Sequence, residues 1–333
     1  DYTWADFFSG MWFSVPFLLI LTVHEFGHYF MAVFHRIKTS LPYYIPLPLP
    51  PGFFTIGTLG AVIRIRSRVF SNIQHFDIGL AGPLAGFVVA VAVLLYGFIT
   101  LPPPEYVYQF HPDYEQFGEN YADHVYTKEY MMHQGGGMDV EFGYNLLFVI
   151  LSKLAGDPAR VPNPHELMHY PVLMAGFIAL FITSLNLLPI GQLDGGHVIY
   201  GLFGRKGHRT IASVFFILLL LYAGLGAVNV YEEKESLLWM VPLGIGFYYV
   251  CLSGVGMPQR DTLMYAFIIV AVQLMIAWLF PDVKGYTGWL LFAFVVGRVL
   301  GVQHPPSEIE APLTPGRKIL GWICLVIFIV CFS

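Results

Sequence analysis

Residues 14–34 read SVPFLLILTVHEFGHYFMAVF, and inside this apolar run stand His24, Glu25 and His28. On a helix the H-E-x-x-H spacing puts both imidazoles, at i and i+4, on one face, where they can chelate one Zn²⁺. Glu25 lies beside them and can take the proton of a metal-bound water. The setting sharpens the motif, because an ionisable side chain within a bilayer costs about 3 kcal/mol or more unless it is paired or ligated. Three such groups on one turn need a common purpose. The competing reading is a hydrogen-bonded polar cluster facing other helices.

The composition around this run belongs to a membrane protein. Of 333 residues, 56% are hydrophobic and 12% charged, with a mean hydropathy of +0.63; soluble chains carry about 25% charged residues. Lys and Arg total 17 against 22 Asp and Glu, so no basic field exists for nucleic acid, and the lipid bilayer is the implied surroundings. Cys251, Cys324 and Cys331 fall in apolar stretches as small hydrophobes, without metal or disulfide spacing. The first apolar run is too long and too charged for a cleavable signal peptide. The chain opens at Asp1 and ends at Ser333 inside an apolar run, which suggests that native ends lie beyond it.

The expected fold is an all-α polytopic membrane protein. It has about eight transmembrane helices, near 10–34, 77–100, 169–190, 210–230, 236–256, 262–280, 287–303 and 317–333, and a small β-hairpin or strand insertion after the first span. A short apolar piece, 197–203, follows the third span. Residues 1–230 read as the core that carries the H-E-x-x-H run, with a β-like insertion at 41–70 and a loop at 101–168; residues 231–333 read as C-terminal transmembrane helices. Alternating spans put twelve of the 17 Lys and Arg on one side, which the positive-inside rule makes cytoplasmic or stromal. His24 to His28 lie roughly 21–27 Å into a ~30 Å core, nearer that side. The first connection holds a Pro-rich run, Leu41 to Gly52, followed by Thr55 to Arg66, whose period-2 apolarity signals a strand. The second, 101–168, is acidic and Tyr-rich, with a flexible turn at Gly135 to Gly137 and a short amphipathic helix from Tyr144 to Leu154.

Two histidines leave a catalytic zinc one protein ligand short. Asp194, in NLLPIGQLDGGH (186–197), is the best third candidate: a span ends at Pro189, and broken backbone at membrane depth is tolerated only where it is buried or lines a cavity. His197 is the rival, set aside because it can cap or hydrogen-bond at the start of the next apolar piece. Asn186, one turn before Pro189, either donates to an oxyanion or makes a helix–helix hydrogen bond. GLAGPLAG (79–86) supplies small residues for close helix packing beside the site. His35, His75, His165, His169 and His304 read as interfacial polar residues. The irregularly spaced loop set His111, His124 and His133 reads as non-ligating.

HEFGH, AGPLAG and NLLPIGQLDGGH, in this order, resemble the site-2 protease family, the M50-type intramembrane zinc metalloproteases. HPP at 304–306 and the last span look similar to a bacterial and plastid subgroup, without PDZ or CBS modules, that includes the ethylene-dependent gravitropism-deficient proteases. Many members of the family carry N-x-x-P-x-P-x-L-D-G; here the second Pro is Gly191. The resemblance implies one Zn²⁺ per chain on His24, His28 and Asp194, with Glu25 as general base and Asn186 assisting. It also implies transmembrane protein substrates cut in or near the bilayer of a bacterial inner or plastid membrane. A helical substrate must unwind before attack, and Thr58, Leu59, Gly60, Ala61, Val62 and Ile63 are the candidate strand to hold it extended; the other reading is a hairpin with no substrate role. A metal or proton transporter, or a catalytically silent membrane-protein binding module, are the alternatives. A transporter would be expected to show repeat-related half-spans, and no internal repeat is visible. The oligomeric state is left open.

Overall fold

The computed structural model describes residues 3–46, 58–133, 140–228 and 234–332. Part of the Pro-rich run (47–52) and the Gly135 to Gly137 turn lie outside them. Eleven α-helices follow the chain among the described residues: α1 Trp4–Phe34, α2 Asn72–Ile99, α3 Tyr121–Val125, α4 Lys128–His133, α5 Leu146–Ala155, α6 Pro171–Asn186, α7 Asp194–Ala223, α8 Lys234–Leu252, α9 Gln259–Leu279, α10 Gly288–Val295 and α11 Pro315–Phe332. Two strands, β1 Tyr43–Pro46 and β2 Thr58–Val62, complete the regular structure with several 3₁₀ turns. The described chain divides into two compact units. One comprises 1–68, 81–186 and 323–333, the other 69–80 and 187–322.

Among the described residues six helices are long and apolar enough to cross a membrane: Phe7–Phe34, α2, α7, Leu237–Val255, α9 and α11. The expected eight are not all present at that length. The stretch read as a span over 169–190 forms α6, whose 16 residues reach about 24 Å at 1.5 Å each, short of a ~30 Å core. The stretch 287–303 becomes α10 and a π-helical turn, Val296–Leu300. Hydropathy registers the apolar run, whereas helix length is decided by where the backbone turns: before Pro189 for α6, and at Gly301, with φ +82°, after the π turn. The short piece at 197–203 and most of the span at 210–230 fall in α7, which is two helices meeting at Gly204, whose backbone is not helical (φ 68°, ψ −178°). The spanning helices keep large apolar side chains on the outside, such as Phe30, Val88, Leu243 and Trp278. In lipid this is the stable arrangement, since the surroundings are as apolar as the core.

In the first unit α1 packs on α6 and also borders β2. Gly97 and Gly176 let α2 and α6 close on one another through Leu173 and Leu94. The strands pair antiparallel, Tyr43 with Val62 and Tyr44 with Ala61, and the ladder continues loosely as Thr39 with Ile65. The strand expected over Thr55 to Arg66 is present as Thr58–Val62, its start at 55–57 lying outside the described residues, and the expected hairpin is a two-stranded sheet. The partner strand β1 lies within the Pro-rich run: Tyr43, Tyr44 and Ile45 favour strand, and Pro46 sits at the strand's end, where a missing donor is tolerated.

In the second unit α7, α8 and α9 pack together. Gln273 answers the buried polar groups there, accepting from Tyr248 Oη at 3.0 Å and donating to the Leu220 and Leu221 carbonyls. The 301–314 connection is tied to the start of α2, where Asn72 exchanges two hydrogen bonds with Ala311. Arg317 meets Asp77 through two bonds of 2.7 and 2.8 Å.

Gly191 explains the departure from the resembled motif. Its φ is +57°, a region closed to Pro, and its N–H donates to the Val302 carbonyl at 2.8 Å. Restoring the family's Pro here (Gly191→Pro) removes that donor and forces a new backbone angle. We expect a destabilisation of about 2 kcal/mol, read as a lower melting midpoint in detergent; an unchanged midpoint would show that the turn does not depend on this conformation.

Candidate metal centre

The HEFGH run is fully helical within α1, so the expected i, i+4 geometry is realised. His24 and His28 are buried, at 5% and 7% exposure, and Glu25 is buried beside them. The two Nε2 atoms stand 3.0 Å apart. Two imidazoles on a tetrahedral zinc with Zn–N of 2.0–2.1 Å would have nitrogens about 3.3 Å apart, so the pair has the spacing and donor chemistry of a shared divalent ion. Asn186, the last residue of α6, brings its side-chain nitrogen to 3.4 Å from His24 Nε2. The amide therefore lies at the histidine pair and not at a remote helix contact.

Small residues on α2 make this possible. A Cβ on Gly27 would stand 2.5 Å from the Ala81 carbonyl oxygen, and one on Gly86 would stand 3.0 Å from His24 Cβ. A Cβ on Gly82 would run into the His28 ring itself. The AGPLAG segment thus packs directly against the histidine pair, as its small residues suggested.

Asp194 opens α7 in the second unit, following Leu193 in extended conformation. His197 belongs to the same unit and is engaged there: its Nδ1 is 2.8 Å from His304 Nε2. His304 Nδ1 is 2.5 Å from the Pro305 carbonyl, which can only accept, so His304 Nε2 is the acceptor and His197 the donor. Burial pushes the His304 pKa down to about 4, which keeps this ring neutral and the chain of bonds intact. His75 stacks on His197 at 5.3 Å. His75 and His304, expected as interfacial polar residues, are packed with His197 in one cluster; what brings His304 there is the 301–314 connection, which no local pattern announces.

The strand candidates Thr58, Leu59, Gly60, Ala61 and Val62 form β2, with Ile63 directly after it. Thr58 is buried and donates to the Ile45 carbonyl at 2.8 Å.

A second histidine group was missed. His111 and His169 come together with Glu166, not with His124, which stacks on Phe117 instead; the side chain of His133 lies outside the described residues. Glu166 and His169 form an E-x-x-H spacing across one turn, a signal available in the sequence.

No solved structure matches this chain. It is 28% identical over 279 residues to probable zinc metalloprotease EGY1, chloroplastic, of Oryza sativa subsp. japonica, covering 78% of this chain and 40% of that protein. It is 28% identical over 200 residues to the protein of the same name from Arabidopsis thaliana, covering 60% of this chain and 31% of that one. Probable zinc metalloprotease EGY3, chloroplastic, of Oryza sativa subsp. indica is 27% identical over 284 residues, 81% of this chain and 42% of that protein. The chain spans well under half the length of these relatives. The family model described as peptidase family M50 matches residues 12–223, from the middle of α1 to the end of α7, and the chain belongs to that family.

Proposed function

We propose that the protein hydrolyses peptide bonds in or near the transmembrane segment of membrane-anchored proteins, using one zinc ion held by His24, His28 and Asp194. The observation that carries this is the buried histidine pair, with Nε2 atoms 3.0 Å apart, on a helix long and apolar enough to cross a membrane. Zinc bound there would lower the pKa of its water towards neutrality and polarise a peptide carbonyl. Glu25 accepts the water proton and returns it to the departing amine nitrogen. Asn186 offers its amide to the negative charge growing on the carbonyl oxygen. The chloroplastic relatives and the apolar helices support placement in a plastid membrane, or in a bacterial inner membrane by the subgroup resemblance, with the site nearer the stromal or cytoplasmic side.

Cleavage of a single-span membrane substrate by the purified chain in detergent, with and without a zinc chelator, tests the reading. Loss of cleavage on chelation and its return with added zinc is the expected result. Zinc bound without any cleavage under conditions where a related protease is active would favour a binding or transport role.

A substrate chain held extended along β2 by main-chain hydrogen bonds completes the proposal. Val62→Pro removes a backbone donor from that strand, and we expect it to slow cleavage of a helical substrate at least about tenfold while zinc content is unchanged. Equal rates for the two proteins would leave the hairpin with no part in substrate handling.

A further inference from the structure

The segment between α2 and α6 brings together two histidines and a carboxylate that the proposed reaction does not use. Glu166 and His169 lie three residues apart on the turn leading into α6, and His111 reaches them from the start of the 3₁₀ stretch Pro112–Asn120. His111 Nε2 and His169 Nε2 are 3.1 Å apart. Glu166 Oε2 is 3.5 Å from the first and 3.4 Å from the second. Three ligand atoms around a tetrahedral zinc, at 2.0–2.2 Å from it, stand about 3.3–3.6 Å from one another. The two edges to Glu166 fall in that range, and the edge between the imidazoles is slightly shorter.

The surroundings fix each ligand. Tyr126 Oη donates to Glu166 Oε1. The bond turns the other oxygen, Oε2, towards the two rings. Phe110 stacks on His169 at 4.1 Å and Tyr114 on His111 at 4.5 Å. Outer partners of this kind orient ligands at metal sites.

Hydrogen bonding alone accounts poorly for the arrangement. Glu166 is 2% exposed, and its Oε2 accepts no hydrogen bond among the described residues. A buried carboxylate oxygen left so is costly. One proton shared between the two Nε2 atoms satisfies the rings and still leaves Oε2 without a donor. A divalent ion satisfies all three atoms at once.

We propose that His111, Glu166 and His169 form a second metal site, taking Zn²⁺ or a similar divalent transition metal with water in the fourth position. Two nitrogens and one oxygen suit this class of ion rather than Mg²⁺ or Ca²⁺. His111 lies 55 residues before Glu166 and 58 before His169, so the ion clips the 101–125 stretch to the entry of α6. Its role is to hold the loop in place within the first unit.

Metal content of the full chain purified in detergent tests this, and it separates this site from the one on α1. We expect about two zinc ions per chain in the wild type, about one in Glu166→Gln with His111→Ala, and about one in His24→Ala with His28→Ala. Should the first double variant fail to fold, the His24→Ala, His28→Ala chain is stripped of metal and titrated with Co²⁺, whose visible spectrum reports a tetrahedral site. Retention of one Co²⁺ with that spectrum supports the second site. One zinc in the wild type that disappears with His24 and His28, together with no tetrahedral Co²⁺ in the stripped variant, overturns the inference and leaves the proposed function standing. One zinc that disappears only with Glu166 and His111 keeps the inference and removes the α1 site instead.

Discussion

Glu25→Gln is expected to cut the rate of peptide hydrolysis by about 10²- to 10⁴-fold while zinc stays bound. Gln keeps the size and a hydrogen-bonding head but cannot accept the water proton. Glu25 lies buried on the turn of α1 that carries His24 and His28, and the isosteric change leaves the packing around the histidines as it is. The measurement pairs the cleavage rate of a single-span substrate with zinc content on the same sample. Normal zinc with a collapsed rate assigns proton transfer to Glu25. Normal zinc with a near-normal rate would give the base role to another group, and loss of zinc would make Glu25 a structural member of the site.

Gly82→Ala is the second large effect. In an exposed helix this exchange stabilises by about 1 kcal/mol, because Ala is the better helix former. Here the new Cβ would collide with the His28 ring. Relief requires either rotation of the imidazole away from His24 or separation of α1 from α2. Overpacking of this sort costs about 1–3 kcal/mol, and a catalytic group displaced by about 1 Å loses on the order of 10²-fold in rate. We therefore expect a weaker hold on zinc, a lower melting midpoint and a rate reduced at least about a hundredfold. Gly10→Ala, on an exposed position of α1 with nothing within 4 Å of the added atom, serves as the comparison and is expected to leave zinc binding and rate unchanged and to raise the melting midpoint slightly. Similar behaviour of the two variants would mean that the α1–α2 approach does not hold the site.

The H-E-x-x-H run was readable because its geometry is local: a helix repeats every 3.6 residues whatever surrounds it, so i and i+4 share a face. Three ionisable groups within an apolar run also stand out against the cost of burying them. The small residues of AGPLAG announced a close helix contact for an equally local reason, the size of their side chains. What they would contact was not written there. That Gly82 faces His28, and that Asn186 brings its amide to His24, emerged only once α1, α2 and α6 were packed.

Apolar runs announced helices but did not give their lengths. Those of α6 and α10 depended on where the backbone turns, and α7 is parted into two helices by the non-helical backbone at Gly204. A hairpin was expected in the insertion, but the place of β1 within it was not, because Pro-rich composition masks a pairing that a neighbouring strand supplies. His111, Glu166 and His169 show the limit most plainly. The E-x-x-H half of that group is a local spacing and was available to be read. His111 lies 55 residues before Glu166 in a Tyr-rich loop, and no periodicity relates the two. By itself the sequence determined the membrane class, the helical character and the ligand-bearing face of α1, because each follows from composition or from the repeat of a single helix. The tertiary structure alone decided which distant side chains meet, since packing across long stretches of chain is set by the sum of many weak contacts that no short motif encodes.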